Sequence, residues 1–126
     1  IMMAGFYYGY DLHKIGRTAE GVRQCTASLT AAYRAGQWRN IQIGLDIVAR
    51  FLMDFGHASA ALGLIEANER YRMAHEHVWS VAEMTVVDEI RQRGGKVTPS
   101  SAWSSLTEAR PLVVAAVEAL RPYAGR

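Results

Sequence analysis

One cysteine, Cys25, occurs in the 126 residues, so no internal disulfide can staple the chain and its stability must come from a packed core. No apolar run exceeds "LVVAAV" at 112–117, far short of a bilayer-spanning helix. The opening "IMMAG" has no basic segment leading into an apolar one and a cleavage site, so it is not a signal peptide. These absences point to a cytoplasmic protein without an anchor, and an isoleucine in first position suggests a fragment of something larger. Charge of one sign is missing too. Twelve Arg and two Lys interleave with twelve acidic residues to a net charge of +2, which offers no footprint for direct nucleic-acid binding. No G-x-x-x-x-G-K-[ST] loop cradles phosphates and no acid and base pair at a meaningful spacing. The chain therefore reads as non-catalytic, with no cofactor and no metal.

What is present is helical pattern in one domain, since 50% of the residues are apolar and 21% charged, enough for a soluble core. From Trp38 to Phe55 apolar residues recur at Ile41, Leu45, Val48, Leu52 and Phe55, with a second stripe at Ile43, Ile47 and Phe51. Arg39, Gln42, Asp46, Arg50 and Asp54 are left as the polar side, so this helix is expected between two neighbours. A further helix over 58–72 turns Ala61, Leu62 and Ile65 inward, and Gly56 suits the helix end between them.

Sliding the chain forty residues along itself sets Gly9 on Ala49, Leu12 on Leu52, Gly16 on Gly56, Gly21 on Ala61 and Cys25 on Ile65. Small meets small and apolar meets apolar. The pattern is similar to the tetratricopeptide repeat, in which small residues let two helices cross closely. It departs from that repeat in lacking a closing proline, in placing Ser28 and Asn68 where Ala is usual, and in its length, whose excess is assigned to 18–37. The expected fold is all-α: antiparallel hairpins at 6–35, 38–72 and 76–109 stacked as a short right-handed solenoid, with a final helix at 111–121 as an irregular cap. Within 76–109, Gly94-Gly95 stops one helix, and Thr98 with Pro99 starts a short second one.

"AALGLIEANERYRM" (60–73), then "SAWSSLTEARPLVVAAVEAL" (101–120), resemble the C-terminal helical-repeat region of LuxR-type and AfsR-type transcriptional regulators built on a STAND ATPase, over about 28–120. The resemblance implies a tetratricopeptide-like scaffold that holds a protein or peptide segment, or neighbouring domains of its own chain.

In such a geometry the first helix of each hairpin lines a concave groove. Phe6, Tyr10, His13 and Lys14, then Asp46, Arg50, Met53 and Asp54, are the expected lining, mixed in charge and suited to a peptide. The alternative is a small molecule sensed in the same groove, which an enclosed pocket would favour. Met3, Phe6, Tyr7 and Tyr8, with Ile1 and Met2, would leave an apolar end that pairs two copies. His75, Glu76 and His77 read as solvated, because residues two apart on a helix face away from each other. Cys25 reads as core, and His57 as a contact to a helix end.

Overall fold

The computed structural model describes residues 2–75 and 80–125, with side chains from Gly5 onward. Over them the chain is helical: α1 (Met2–Lys14), α2 (Thr18–Arg34), α3 (Trp38–Asp54), α4 (Ala58–Ala74), α5 (Val81–Gly94) and α6 (Ala109–Leu120), with 3-10 turns at Ser101–Trp103 and Arg121–Tyr123. Among the described residues no helix is long and apolar enough to cross a membrane.

Glycine sets the spacing of the first four helices. Gly16, Gly36 and Gly56 have φ of 89°, 67° and 85°, the left-handed region that strains any side chain. Each closes its helix in the same way. The glycine N–H donates to the carbonyl of His13, Tyr33 or Met53 (3.1 Å each), and the next N–H to Leu12, Ala32 or Leu52 (2.9, 3.0 and 2.8 Å). Those two bonds satisfy carbonyls that the helix end would leave open. Because α2, α3 and α4 each have seventeen residues, the forty-residue repeat divides evenly, and its excess length is not confined to 18–37.

Helices α1 and α2 cross at bare backbone. A Cβ on Gly21 would lie 2.2 Å from the Gly9 carbonyl oxygen, and one on Gly9 2.7 Å from that of Gly21. Backbone cannot yield as a flexible side chain can. Gly21→Ala is therefore expected to destabilise by about 1–3 kcal/mol through forced separation of the helices, read as a lower denaturant midpoint; an unchanged midpoint would place the crossing elsewhere. Ala49 and Ala61, both fully buried, hold the matching positions in the second hairpin.

The core is organised around α3, which packs on α1, α2, α4, α5 and α6. Ile41 to Ala49 and Phe51 to Met53 are all buried, so Gln42 and Asp46 do not form an outward polar side. A helix with neighbours all around has no such side. The stretch expected as a third hairpin holds α5 and, in place of a second helix, the 3-10 turn, with Ser100 rather than Thr98 at its N-cap. That turn is fastened to α4: the Ser100 N–H donates to the Ser59 carbonyl (2.8 Å), and Ser59 Oγ to the Thr98 carbonyl (2.8 Å). Trp103 settles over Gly63, where a Cβ would meet its ring at 2.8 Å. Helix α6 then lies against α2, α3 and α4, returning to the first hairpin. Pro111 falls in its first turn, where the missing N–H costs nothing.

Candidate functional site

The last turns of α1, α3 and α5 lie side by side and bring six polar side chains together. Arg50 and Asp54 share a face of α3 because they are four residues apart, as do Glu89 and Arg93 on α5. Asp54 is the hub: it accepts from the Tyr10 hydroxyl at 2.5 Å, pairs with His13 Nε2 at 3.1 Å and with Arg93 at 2.6 Å. Arg50 reaches Glu89 at 2.7 Å, and its guanidinium lies 4.4 Å from the centroid of the Tyr10 ring, a cation–π distance. Burial pulls the Asp54 carboxyl upward, but donation from Tyr10, Arg93 and His13 outweighs it and holds the carboxyl below its ordinary value. The same bond, added to burial, pushes the Tyr10 phenol up to about 12.

The His13 ring is wedged among Phe51, Phe55 and Tyr10, with centroids 5.2, 5.4 and 5.5 Å away. Its other nitrogen, Nδ1, lies 2.9 Å from Thr18 Oγ1. Thr18, His13 and Asp54 thus form a hydrogen-bonded relay that the sequence reading did not find. In hydrolases such a relay leaves the carboxylate to orient the imidazole alone; here Asp54 also answers to Tyr10 and Arg93, and Thr18 is the first residue of α2. The relay ties the first turn to α3.

Of the eight residues expected in the groove, Tyr10, His13, Arg50 and Asp54 meet in this network, and Lys14 stands at its edge, 5.7 Å from the Tyr10 ring centroid. Met53 is buried. Phe6 is fully buried and so lines no groove and contributes to no exposed end. Asp46 has turned inward to a second cluster: its carboxylate takes Arg72 at 2.6 Å and the Asn68 amide at 2.8 Å, while Glu83 of α5 lies 3.6 Å from the same guanidinium. Two carboxylates share one arginine in the interior. Burial pushes the Asp46 carboxyl up to about 6, against the pull of Arg72 and Asn68 and with Glu83 adding repulsion. The fully buried Gln42 amide beside it has no hydrogen-bond partner among the described residues.

Glu89 and Arg93 were legible in principle: they stand 39 residues after Arg50 and Asp54 with the charges exchanged, close to the repeat length. Asn68 carried a signal as well, since it occupies the polar slot of Ser28. Nothing local marked Arg72 or Glu83 as buried.

Tyr8 is exposed and Tyr7 half-buried, whereas the side chains of Ile1, Met2 and Met3 lie outside the described residues. Cys25 is buried, and burial pushes its thiol up to about 12. His57 precedes α4 and bonds the Tyr123 hydroxyl. His75 stacks on Trp38 at 5.3 Å, while Glu76 and His77 lie outside the described residues. Among those described, no three His, Cys, Asp or Glu side chains gather as a metal site.

No family model, curated protein or solved structure matches this chain.

Proposed function

We propose that this chain is a non-catalytic helical-repeat interaction module whose two hairpins are tetratricopeptide-like units, and that the face made by α1, α3 and α5 holds a peptide or protein segment. One observation carries the reading: polar side chains from α1, α3 and α5 converge on one face, at Tyr10, Arg50 with Asp54, and Glu89 with Arg93. Their charges are matched locally, so the face offers a polar platform of the partly exposed Arg50, Glu89 and Arg93, over a buried Tyr10 ring, rather than a net field. Such a platform suits backbone amides and mixed side chains better than a polyphosphate. The surface depressions are open, including one of about 350 Å3 between Tyr8, Leu12 and Arg23, which favours a segment over a small molecule. The resemblance of 28–120 to regulator scaffolds fits the same role, as a cytoplasmic part of a larger bacterial transcriptional regulator.

The test is a display selection of linear peptides on the immobilised protein, with bound clones mapped by amide shifts. Clones that shift α1, α3 and α5, and that bind Arg50→Ala at least about tenfold more weakly, are expected. Clones that ignore Arg50→Ala and map elsewhere, or saturable binding of a nucleotide or metabolite in place of peptides, would overturn it.

A further inference from the structure

Helix α6 returns to lie along α2, and the seam it leaves on the opposite wall is a second groove that the proposed function does not use. Two adjoining depressions, of about 270 and about 400 Å3, run along it. On the α2 side Arg23, Ala27, Thr30 and Arg34 occupy one helical face, and Val114 and Val117 form the α6 side. Val114 is 52% exposed and Tyr33 is 36% exposed, so both present apolar surface to the groove. The two threonines of this face ask nothing of a partner. Thr26 and Thr30 each donate their hydroxyl to a carbonyl of their own helix, at 3.1 and 2.9 Å, so the floor accepts apolar groups.

Charge at the ends indicates what fits. Arg23 and Arg34 stand eleven residues apart on α2, or about 16 Å at 1.5 Å per residue. Arg34 has no ion pair among the described residues, and Arg23 spends one donor on the Ala124 carbonyl. The acid on the opposite wall, Glu118, is already matched by Arg121 at 2.6 Å. The seam is therefore an apolar trough of about three helical turns with a cation at either end.

We infer that the α2–α6 groove is a docking site for an acidic amphipathic helix, its apolar stripe on Val114 and Val117 and a carboxylate near each end facing Arg23 and Arg34. Helix-in-groove recognition needs an apolar stripe at three- and four-residue spacing, and paired end charges set its direction and register. This occupant is independent of any segment held on the α1, α3 and α5 face.

The probe is a capped fifteen-residue alanine-based peptide with Leu at positions 4, 8 and 11 and Glu at 2, 3, 13 and 14, compared with a twin in which Lys replaces Glu. The acidic peptide should bind with a Kd below about 1 mM, and the Lys twin at least about tenfold more weakly. Val114→Lys and Arg34→Glu should each weaken the acidic peptide by about tenfold or more, while Arg50→Ala leaves it unchanged and circular dichroism shows both groove variants folded. No binding of the acidic peptide at about 1 mM, equal binding of both twins, or insensitivity to Val114→Lys would overturn the inference. Light scattering decides the remaining occupant: a dimer of the protein alone that Val114→Lys dissolves would assign the groove to a second copy and reject the acidic helix.

Discussion

Arg72→Met should destabilise the fold by about 3–5 kcal/mol at neutral pH, although methionine keeps most of the side chain's length. Arg72 is 1% exposed and is the cation that Asp46 and Glu83, each 3% exposed, have in common. Removing it leaves the buried Asp46 carboxylate with the Asn68 amide but without the cation it pairs with, a costly way to break a buried pair. A signature in pH separates this from lost packing. In the native protein the Asp46 carboxyl stands at about 6 against an ordinary 3.8, so between those values the folded state holds a proton that the unfolded chain has released. Stability therefore falls as pH rises through that window, by about 3 kcal/mol in all, and is level above it. Without Arg72 the carboxyl rises further. The cost of Arg72→Met should accordingly shrink by at least about 1 kcal/mol between pH 7.5 and pH 5. Asp54 does not confuse the reading, because its lowered carboxyl contributes stability that is lost only in stronger acid. A cost below about 1 kcal/mol, or one that is the same at both pH values, would mean the cluster is not charged as described.

That cluster also marks the boundary of what could be read in advance. The second hairpin was legible because Gly56 and the stripe from Ile41 to Leu52 are local signals, one of backbone conformation and one of period. The four network residues Tyr10, His13, Arg50 and Asp54 were legible because repetition assigns α1 and α3 the same face. Asp46 belongs to the same polar row as Arg50 and Asp54, and period alone sends it outward with them. What turns it inward is α5 lying across α3 and bringing Glu83 to Arg72, which itself pairs with Asp46 from 26 residues away with no motif at either end. The return of α6 to α2 was hidden for a similar reason. Its apolar face, Val113, Ala116 and Leu120, suits any neighbour equally well, and only the anchoring of Ser100 and Trp103 on α4 directs the chain back.

Phe6→Ala should cost about 3–5 kcal/mol, as for other buried phenylalanines, and should act on folding rather than on association. The ring is fully buried over Gly44, where a Cβ would come within 2.6 Å of its Cζ, and that same Cβ would be 3.0 Å from Leu29 Cδ1. Glycine at 44 makes room for a phenylalanine from α1, so Phe6 joins the two hairpins. The apolar end expected from "FYY" is correspondingly smaller, with Tyr7 half-buried and Tyr8 54% exposed as its described members. Beside them the face of α1 is hydrophilic. Phe51 of α3 packs on Tyr10 and His13, but its counterpart forty residues earlier is Asp11, paired with Lys14 at 3.4 Å and 67% exposed. A charged pair in that position resists the stacking that Phe51 supports. Tyr8→Ser, by contrast, should change stability by less than about 0.5 kcal/mol, as exposed sites do. Thermal melts and light scattering on the two variants decide the matter together. If Phe6→Ala melts like the parent protein while converting a dimer to a monomer, the ring lies in an interface between copies and the packing of α1 on Gly44 is wrong. If it melts far lower and Tyr8→Ser does not, Phe6 is the wedge that holds one repeat against the next.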